Sequence, residues 1–202
     1  MTEPVCISLS LPQSQLAAFA PLLQRGIILR ARVGGNVLDL LSGQFGIDRS
    51  YVEERITTLF VNSKAIDGLE TTYVNDGSVL ALSAAMPGLV GATMRRGGRL
   101  AAMRGDMTYR QEQPAGTDAT GRVRIKLFNM VLFELGSLFL GRGFYLPASE
   151  LAELLRERSA NFWQSLIRLE WNETQIGREE LQERTARLAP QDEVLLQVEF
   201  QD

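Results

Sequence analysis

The chain carries an internal repeat, which constrains its fold more than any other feature. In both halves an Arg-Gly pair precedes an apolar segment, in PLLQRGIIL (Pro21 to Leu29) and in SLFLGRGFYL (Ser137 to Leu146). A leucine-rich segment, a strand that ends in asparagine, and an acidic turn before a last strand follow in each half. Four paired landmarks recur about 110 to 117 positions apart: Gly26 and Gly143, Leu41 and Leu155, Asn62 and Asn172, and Val79 and Val194. The sequence therefore predicts two similar structural units.

The elements within each half are predicted in the order β-β-α-β-β. CISLSL, from Cys6, and VRIKLFNMVL, from Val123, alternate apolar and polar residues as half-buried strands do. Asn36 and Ser149 are predicted N-caps, because each precedes leucines spaced along one helical face. The Asn-Ser and Asn-Asp-Gly sequences favour tight turns with positive φ. This order, with one helix on one face of a mixed sheet, is that of the ubiquitin-like β-grasp fold.

Three segments also resemble a known family. VRIKLFNMVLFELG (Val123 to Gly136) is similar to the first strand and turn of the molybdopterin-synthase small subunit and of related sulfur carriers, including the thiamine type. Val61-Asn62 and DGSVLALS resemble later strands of that family. The resemblance implies a C-terminal Gly-Gly that is adenylated and converted to a thiocarboxylate. This sequence ends in LLQVEFQD, so we expect that the second half is not a working carrier.

We predict an α+β fold of two tandem β-grasp units, 1–86 and 122–202, joined by a basic, glycine-rich arm at 87–121. The arm is too apolar for a solvated spacer, because large apolar side chains recur from Leu89 to Tyr109. Its two short segments around Gly97-Gly98 are typical of a β-hairpin with a two-residue turn. The arm is therefore predicted to be an ordered β-hairpin.

Gly97 and Gly98 have a second interpretation, as the tail of a carrier. Diglycine lacks side chains and can thread a narrow enzyme active site in an extended form. Tail chemistry needs a free carboxylate, whereas Gly98 is joined to Arg99. This hypothesis therefore requires a protease cut after Gly98.

Four arginines of the arm are candidates for binding an anion or a partner: Arg95, Arg96, Arg99 and Arg104. The segment from Arg95 to Arg110 holds five arginines and one acid, in a chain of net charge −3. Guanidinium groups beside glycine amides favour phosphate or carboxylate groups. Salt bridges or simple solvation are the alternative role for these side chains.

Composition removes several classes of chemistry. The absence of histidine excludes Ser-His-Asp and Cys-His nucleophile pairs and imidazole metal sites. The single cysteine, Cys6, is predicted to be a buried strand residue without a disulfide. No phosphate-binding or dinucleotide-binding glycine motif occurs, and the net charge gives no reason to expect nucleic acid. We therefore predict no catalytic residue, no cofactor and no metal.

The function we expect is that of a non-catalytic tandem β-grasp adaptor that binds a protein partner or assembles with itself. The family resemblance implies a place near sulfur transfer or molybdenum or tungsten cofactor metabolism. Two alternatives stay open: a sulfur-carrier precursor processed after Gly98, and a small-anion-binding protein that uses the central arginines. The acidic start of the sequence and the lack of a membrane-length apolar run predict a cytoplasmic protein that does not engage a membrane.

Overall fold

A computed structural model describes residues 4–84, 86–109 and 119–201 and shows a mixed α/β protein. Contacts divide the chain into two compact units. The terminal unit comprises Met1–Leu22 and Leu135–Asp202, and the central unit comprises Leu23–Glu134.

The described strands number five in each unit. They are β1 (Val5–Pro12), β2 (Ile27–Val33), β3 (Thr58–Val61), β4 (Lys64–Ala65), β5 (Val79–Ser83), β6 (Ala119–Phe128), β7 (Phe144–Pro147), β8 (Arg168–Trp171), β9 (Thr174–Gln175) and β10 (Glu193–Gln201). The α-helices are α1 (Ala20–Arg25), α2 (Gly88–Met94), α3 (Asn129–Gly141), α4 (Ala148–Arg156), α5 (Ala160–Gln164) and α6 (Arg178–Ala186). Further helical turns of 3₁₀ or π type span Gln13–Phe19, Asp39–Gln44, Tyr51–Arg55 and Ala101–Met107.

The sheet of the central unit has the order β4-β3-β5-β6-β2. Its inner strands β5 and β6 run parallel, and the other neighbours are antiparallel. Side chains of β2 alternate between the core and the surface, as the period of a strand requires. One face of this sheet therefore contributes to the core, through Ile27, Leu29, Ala31 and Val33.

The sheet of the terminal unit has the order β7-β10-β1-β8-β9. β1 and β10 run parallel from the pair Val5 and Val194 to the pair Pro12 and Gln201. The remaining neighbours are antiparallel. Each unit thus has a central parallel pair, one outer strand on one side and a two-strand hairpin on the other.

The strand partners differ from those of the predicted tandem arrangement. β1, from the first half of the sequence, pairs with β10 and β8, whereas β6, from the second half, pairs with β2 and β5. The central contact unit is one continuous segment, and it lies in sequence between the two segments of the terminal unit. The domain boundaries at 86/87 and 121/122 stay predictions. A tandem duplication of contiguous β-grasp units is not confirmed. Alternating polarity specifies a half-buried strand but leaves its partner open.

The repeat nevertheless recurs in local structure. Gly26 and Gly143 both have positive φ, 104° and 79°, directly before an outer strand. Asn62 and Asn172 begin the same tight turn, with φ of 49° and 48°, and the residue after each also has positive φ. The local sequence thus specifies the same turn in both hairpins.

One landmark pair is not equivalent in the structure. The side chain of Asn62 accepts a hydrogen bond from the backbone N–H of Val79 at 2.9 Å. The side chain of Asn172 accepts one from the N–H of Cys6 at 2.8 Å, not from Val194. Val79 therefore corresponds to Cys6 in its local role, because both bind the turn asparagine of their own unit.

Four finer predictions have mixed outcomes. Asn36 is confirmed as a cap, since its side chain accepts from the N–H of Asp39 at 2.8 Å. Ser149 is wrong as the N-cap, because Pro147 caps α4. Cys6 is partly exposed rather than buried. The predicted strand from Val123 also ends early, since α3 begins at Asn129.

We expect Gly26→Ala to lower the free energy of unfolding by about 1–3 kcal/mol. An added Cβ would lie 2.8 Å from the Cγ atoms of Arg124 and Lys126, and φ is +104°. The measurement is the urea unfolding midpoint. Gly43→Ala is the matched control, because a Cβ there meets no atom within 4 Å. Equal midpoints for the two variants would contradict the expectation.

Candidate functional site

The described part of the predicted arm is helical, so the β-hairpin prediction is wrong there. α2 and the helical turn Ala101–Met107 lie on either side of Gly97-Gly98, and residues 110–118 of the arm lie outside the described residues. Bonds within the helical turns are local, for example Arg95 N–H to Gly91 O at 3.0 Å, whereas Arg96 N–H donates to Thr57 O and Tyr109 N–H donates to Ala65 O of β4. The helical turns satisfy their own backbone groups, which the two-residue turn signal could not reveal.

Gly97 and Gly98 lie in the bend between these two helices. Gly97 has φ of +60°, and its N–H donates to Asp67 Oδ1 at 2.8 Å. The N–H of Gly98 donates to Arg95 O at 3.1 Å, and its carbonyl accepts from Ala101 N–H at 3.0 Å. Glycine suits the first position because positive φ strains other residues. The pair forms a turn in this structure rather than an extended tail.

Arg104 is the buried residue of the cluster, with 2% of its surface exposed. Its Nη1 and Nη2 atoms contact Oδ2 and Oδ1 of Asp67 at 3.1 and 3.0 Å. Its Nε donates to Thr93 O at 2.6 Å, and Nη2 also donates to Arg95 O at 2.7 Å. Arg104 therefore stabilises the bend through internal contacts, and its guanidinium is not accessible to a ligand.

Arg96 is half-buried, and hydrogen bonds to backbone carbonyls orient its guanidinium. Its backbone N–H donates to Thr57 O at 2.8 Å. Its side-chain Nη2 donates to the carbonyl of Val52, at 3.1 Å, and to that of Glu53. Burial lowers the pKa of the guanidinium, while the carboxylates of Glu53 and Asp67 act in the opposite direction. Nη1 is buried and has no hydrogen-bond partner among the residues that the structure describes.

A cavity of about 540 Å³ opens beside this bend. Arg95, Arg96 and Arg99 line it, and within the described ranges no carboxylate does. Thr57 also lines it, and the Thr57 Oγ1 atom is a second buried polar atom for which the described residues provide no partner. The structure thus brings three of the four predicted arginines together and assigns the fourth, Arg104, to packing.

The two helices of the segment also carry exposed apolar side chains. Leu89 and Val90 of α2 are 68% and 63% exposed, and Met103 and Met107 are 66% and 50% exposed. We call these four side chains the apolar helical surface. Arg95 and Arg99, in the connection between the helices, are exposed as well.

Two residues of the site were not predicted from the sequence. Asp67 is distant in sequence from Gly97 and Arg104, and Thr57 directly precedes β3. Neither residue belongs to a motif, so only the folded chain reveals their positions.

Comparisons with protein-family models, with curated proteins and with solved structures give no match for this chain. Among the described residues, every helix falls short of the length and apolar character that crossing a membrane requires.

Replacing Arg104 with methionine should lower the free energy of unfolding by about 2–4 kcal/mol, because Asp67 and two carbonyls lose their donors. Arg99→Met is the matched control, since Arg99 is exposed, and its unfolding midpoint in urea should stay near that of the parent. A midpoint of Arg104→Met equal to that of Arg99→Met would show that the buried contacts contribute little.

Proposed function

We propose that this chain is a non-catalytic protein-binding module whose central unit docks an acidic, amphipathic segment of a partner protein. The observation that carries the proposal is the apolar helical surface formed by Leu89, Val90, Met103 and Met107. Single exposed apolar residues are normal on proteins, whereas a concentration of them is typical of an interaction site.

The energetics of burial favour such docking. Complete burial of one large aliphatic side chain is worth about 1.5–3 kcal/mol, and four are available on adjacent helical segments. Met103 and Met107 add adaptable side chains, which suit a surface that accommodates a partner helix. The apolar helical surface could therefore form the core of a docking site.

The positive charge of the connection between the helices favours an acidic partner. Arg95 and Arg99 are exposed there, so carboxylates on the partner would complement them. A symmetric contact between two copies presents the same patch on both sides and would place these arginines near one another. An acidic partner protein is therefore favoured over self-association. The resemblance to sulfur carriers makes proteins of sulfur transfer and of molybdenum or tungsten cofactor metabolism the first partners to test.

The five-stranded order of each unit supports a β-grasp-like adaptor, since both sheets have a central parallel pair between an outer strand and a hairpin. Sheet architecture alone does not fix a function, and the docking surface therefore carries the proposal.

Photo-crosslinking in the native cells tests the proposal. With p-benzoylphenylalanine at Val90, we expect an adduct with another protein whose attached segment carries alternating acidic and apolar residues. The same label at Ile167, which is 52% exposed in the terminal unit, is the control. The purified partner should bind the parent chain at least about tenfold more tightly than Leu89→Glu or Met103→Glu, because a carboxylate would enter a desolvated contact. Ile167→Glu should bind like the parent.

Identical adducts at Val90 and Ile167 would contradict the proposal, as would a crosslinked segment without acids. An adduct with a second copy of the chain would instead establish self-assembly.

The sulfur-carrier alternative is tested by intact mass. A cut after Gly98 would separate Arg96, which binds the Val52 carbonyl, from Arg104, which binds Asp67. Because such a cut divides a bonded bend, we expect one full-length species from native cells. A fragment ending at Gly98, with a mass that indicates replacement of oxygen by sulfur, would make the carrier the leading function.

A further inference from the structure

One face of the central sheet is strongly basic. Val123, Ile125 and Leu127 of β6 are buried in the core, so the residues that alternate with them lie on the opposite face. The antiparallel register of β2 with β6 places five cations on that face: Arg30, Arg32, Arg122, Arg124 and Lys126. Among the described strands of the central unit, none contains an aspartate or a glutamate. We call this surface the basic sheet face.

Much of the charge on the basic sheet face is accessible. The side chains of Arg30 and Arg32 are exposed, and that of Lys126 is half-buried. Within the part of the chain that the structure describes, none of these three takes part in an ion pair. Arg124 differs, because its Nη1 donates to Gly26 O at 2.9 Å. Arg30, Arg32 and Lys126 are therefore available to a bound anion.

The net charge of the chain does not reveal this basic surface. The net charge of −3 gave no reason to expect nucleic acid. The central unit nevertheless has 14 arginines and lysines against 11 acids, whereas the terminal unit has 7 against 13. The acidic balance therefore belongs to the terminal unit, and the local charge of a surface decides which ligands it attracts.

Two aromatic side chains lie on the same face as these cations. Phe60 of β3 is paired with Ala81 of β5, which is paired with Lys126, so the three form one row across the sheet. Phe128 lies two residues beyond Lys126 on β6, about 6.8 Å along the strand. Both phenylalanines are half-buried. An accessible ring beside cations offers a surface on which a nucleobase stacks while its phosphates meet positive charge.

We propose that the basic sheet face binds a single-stranded nucleic acid. Phosphates contact Arg30, Arg32 and Lys126, and a base stacks on Phe60. Arg30 and Arg32 are two residues apart on one strand, about 6.8 Å, which suits a ligand that carries regularly repeated negative charges. A duplex keeps its bases stacked inside and an acidic peptide has none, so neither uses the ring in this way. A single strand therefore matches both the cations and the aromatic side chain.

Fluorescence anisotropy with the full chain tests the proposal, and the probe is a labelled oligouridylate of about 12 nucleotides. We expect saturable binding that weakens as salt rises, with a slope of log K against log salt of about −2 for three contacted phosphates. Poly-glutamate and an RNA duplex of equal length should bind at least about tenfold more weakly, because neither offers a free base for stacking. Oligodeoxyuridylate separates the two sources: equal affinity assigns the face to single strands of either kind, and tighter binding of oligouridylate assigns it to RNA.

Two variants separate the charge from the ring. The double variant Arg30→Gln with Arg32→Gln should weaken oligouridylate binding by at least about tenfold and reduce the salt slope by about 1.4, because two phosphate contacts are lost. Phe60→Leu keeps an apolar side chain but removes the ring, and it should weaken binding by about fivefold with the salt slope unchanged. If Phe60→Leu fails to fold, the double variant decides the matter, since both of its arginines are exposed.

The matched controls are Arg156→Gln with Arg168→Gln, two exposed arginines of the terminal unit, and Phe133→Leu, an exposed ring of α3. These controls should bind like the parent.

Absence of saturable oligouridylate binding overturns the proposal, and so does parental affinity in the double variant at Arg30 and Arg32. Equal losses in the arginine controls would show that only the overall charge acts, which also overturns it. Equal or tighter binding of poly-glutamate or of the duplex would assign the face to an acidic protein or to a duplex instead. The basic sheet face shares no residue with the apolar helical surface, so the failure of either proposal leaves the other standing.

Discussion

The contact between Arg104 and Asp67 is the interaction on which the candidate site depends. It joins the second helical turn of the segment to the loop after β4, and the same guanidinium binds carbonyls at the end of α2. Asp67 also accepts the Gly97 N–H, so one carboxylate holds both the arginine and the bend. Only one partner of this pair is buried, since the Asp67 side chain is 43% exposed, and a pair that desolvates a charge often adds little net stability relative to apolar packing. Its effect here is to fix where the bend lies.

The fixed bend explains why neighbouring arginines have different roles. Arg104 points inward and all of its contacts are internal, whereas Arg95 and Arg99 stay exposed. Arg96 is intermediate, since its side chain is half-buried and its guanidinium is bound to the carbonyls of Val52 and Glu53. One basic segment therefore contains a buried arginine that forms an ion pair, a half-buried arginine bound to carbonyls, and two exposed arginines. Composition alone would have treated these four side chains as equivalent.

Several local signals in the sequence predicted local structure correctly. Asn62 and Asn172 begin matching turns, and Asn36 caps its helix, because each of these roles is decided within a few residues. The clustering of arginines predicted a binding site in the central segment, and three of those arginines line one cavity. In contrast, β1 and β6 lie in the sheets formed mainly by the other half of the sequence. Strand pairing depends on contacts across the whole chain, and an alternating pattern is compatible with several partners.

Contacts between distant residues also limited what the sequence could predict about the candidate site. Gly-Gly between two basic segments favoured a hairpin, but the structure places helices there, because α2 and Ala101–Met107 satisfy their backbone bonds locally. Asp67 and Thr57 could not be assigned to the site in advance, since each reaches it through folding rather than through sequence proximity. Residues that act with distant partners carry no motif, whereas residues that act with near neighbours do.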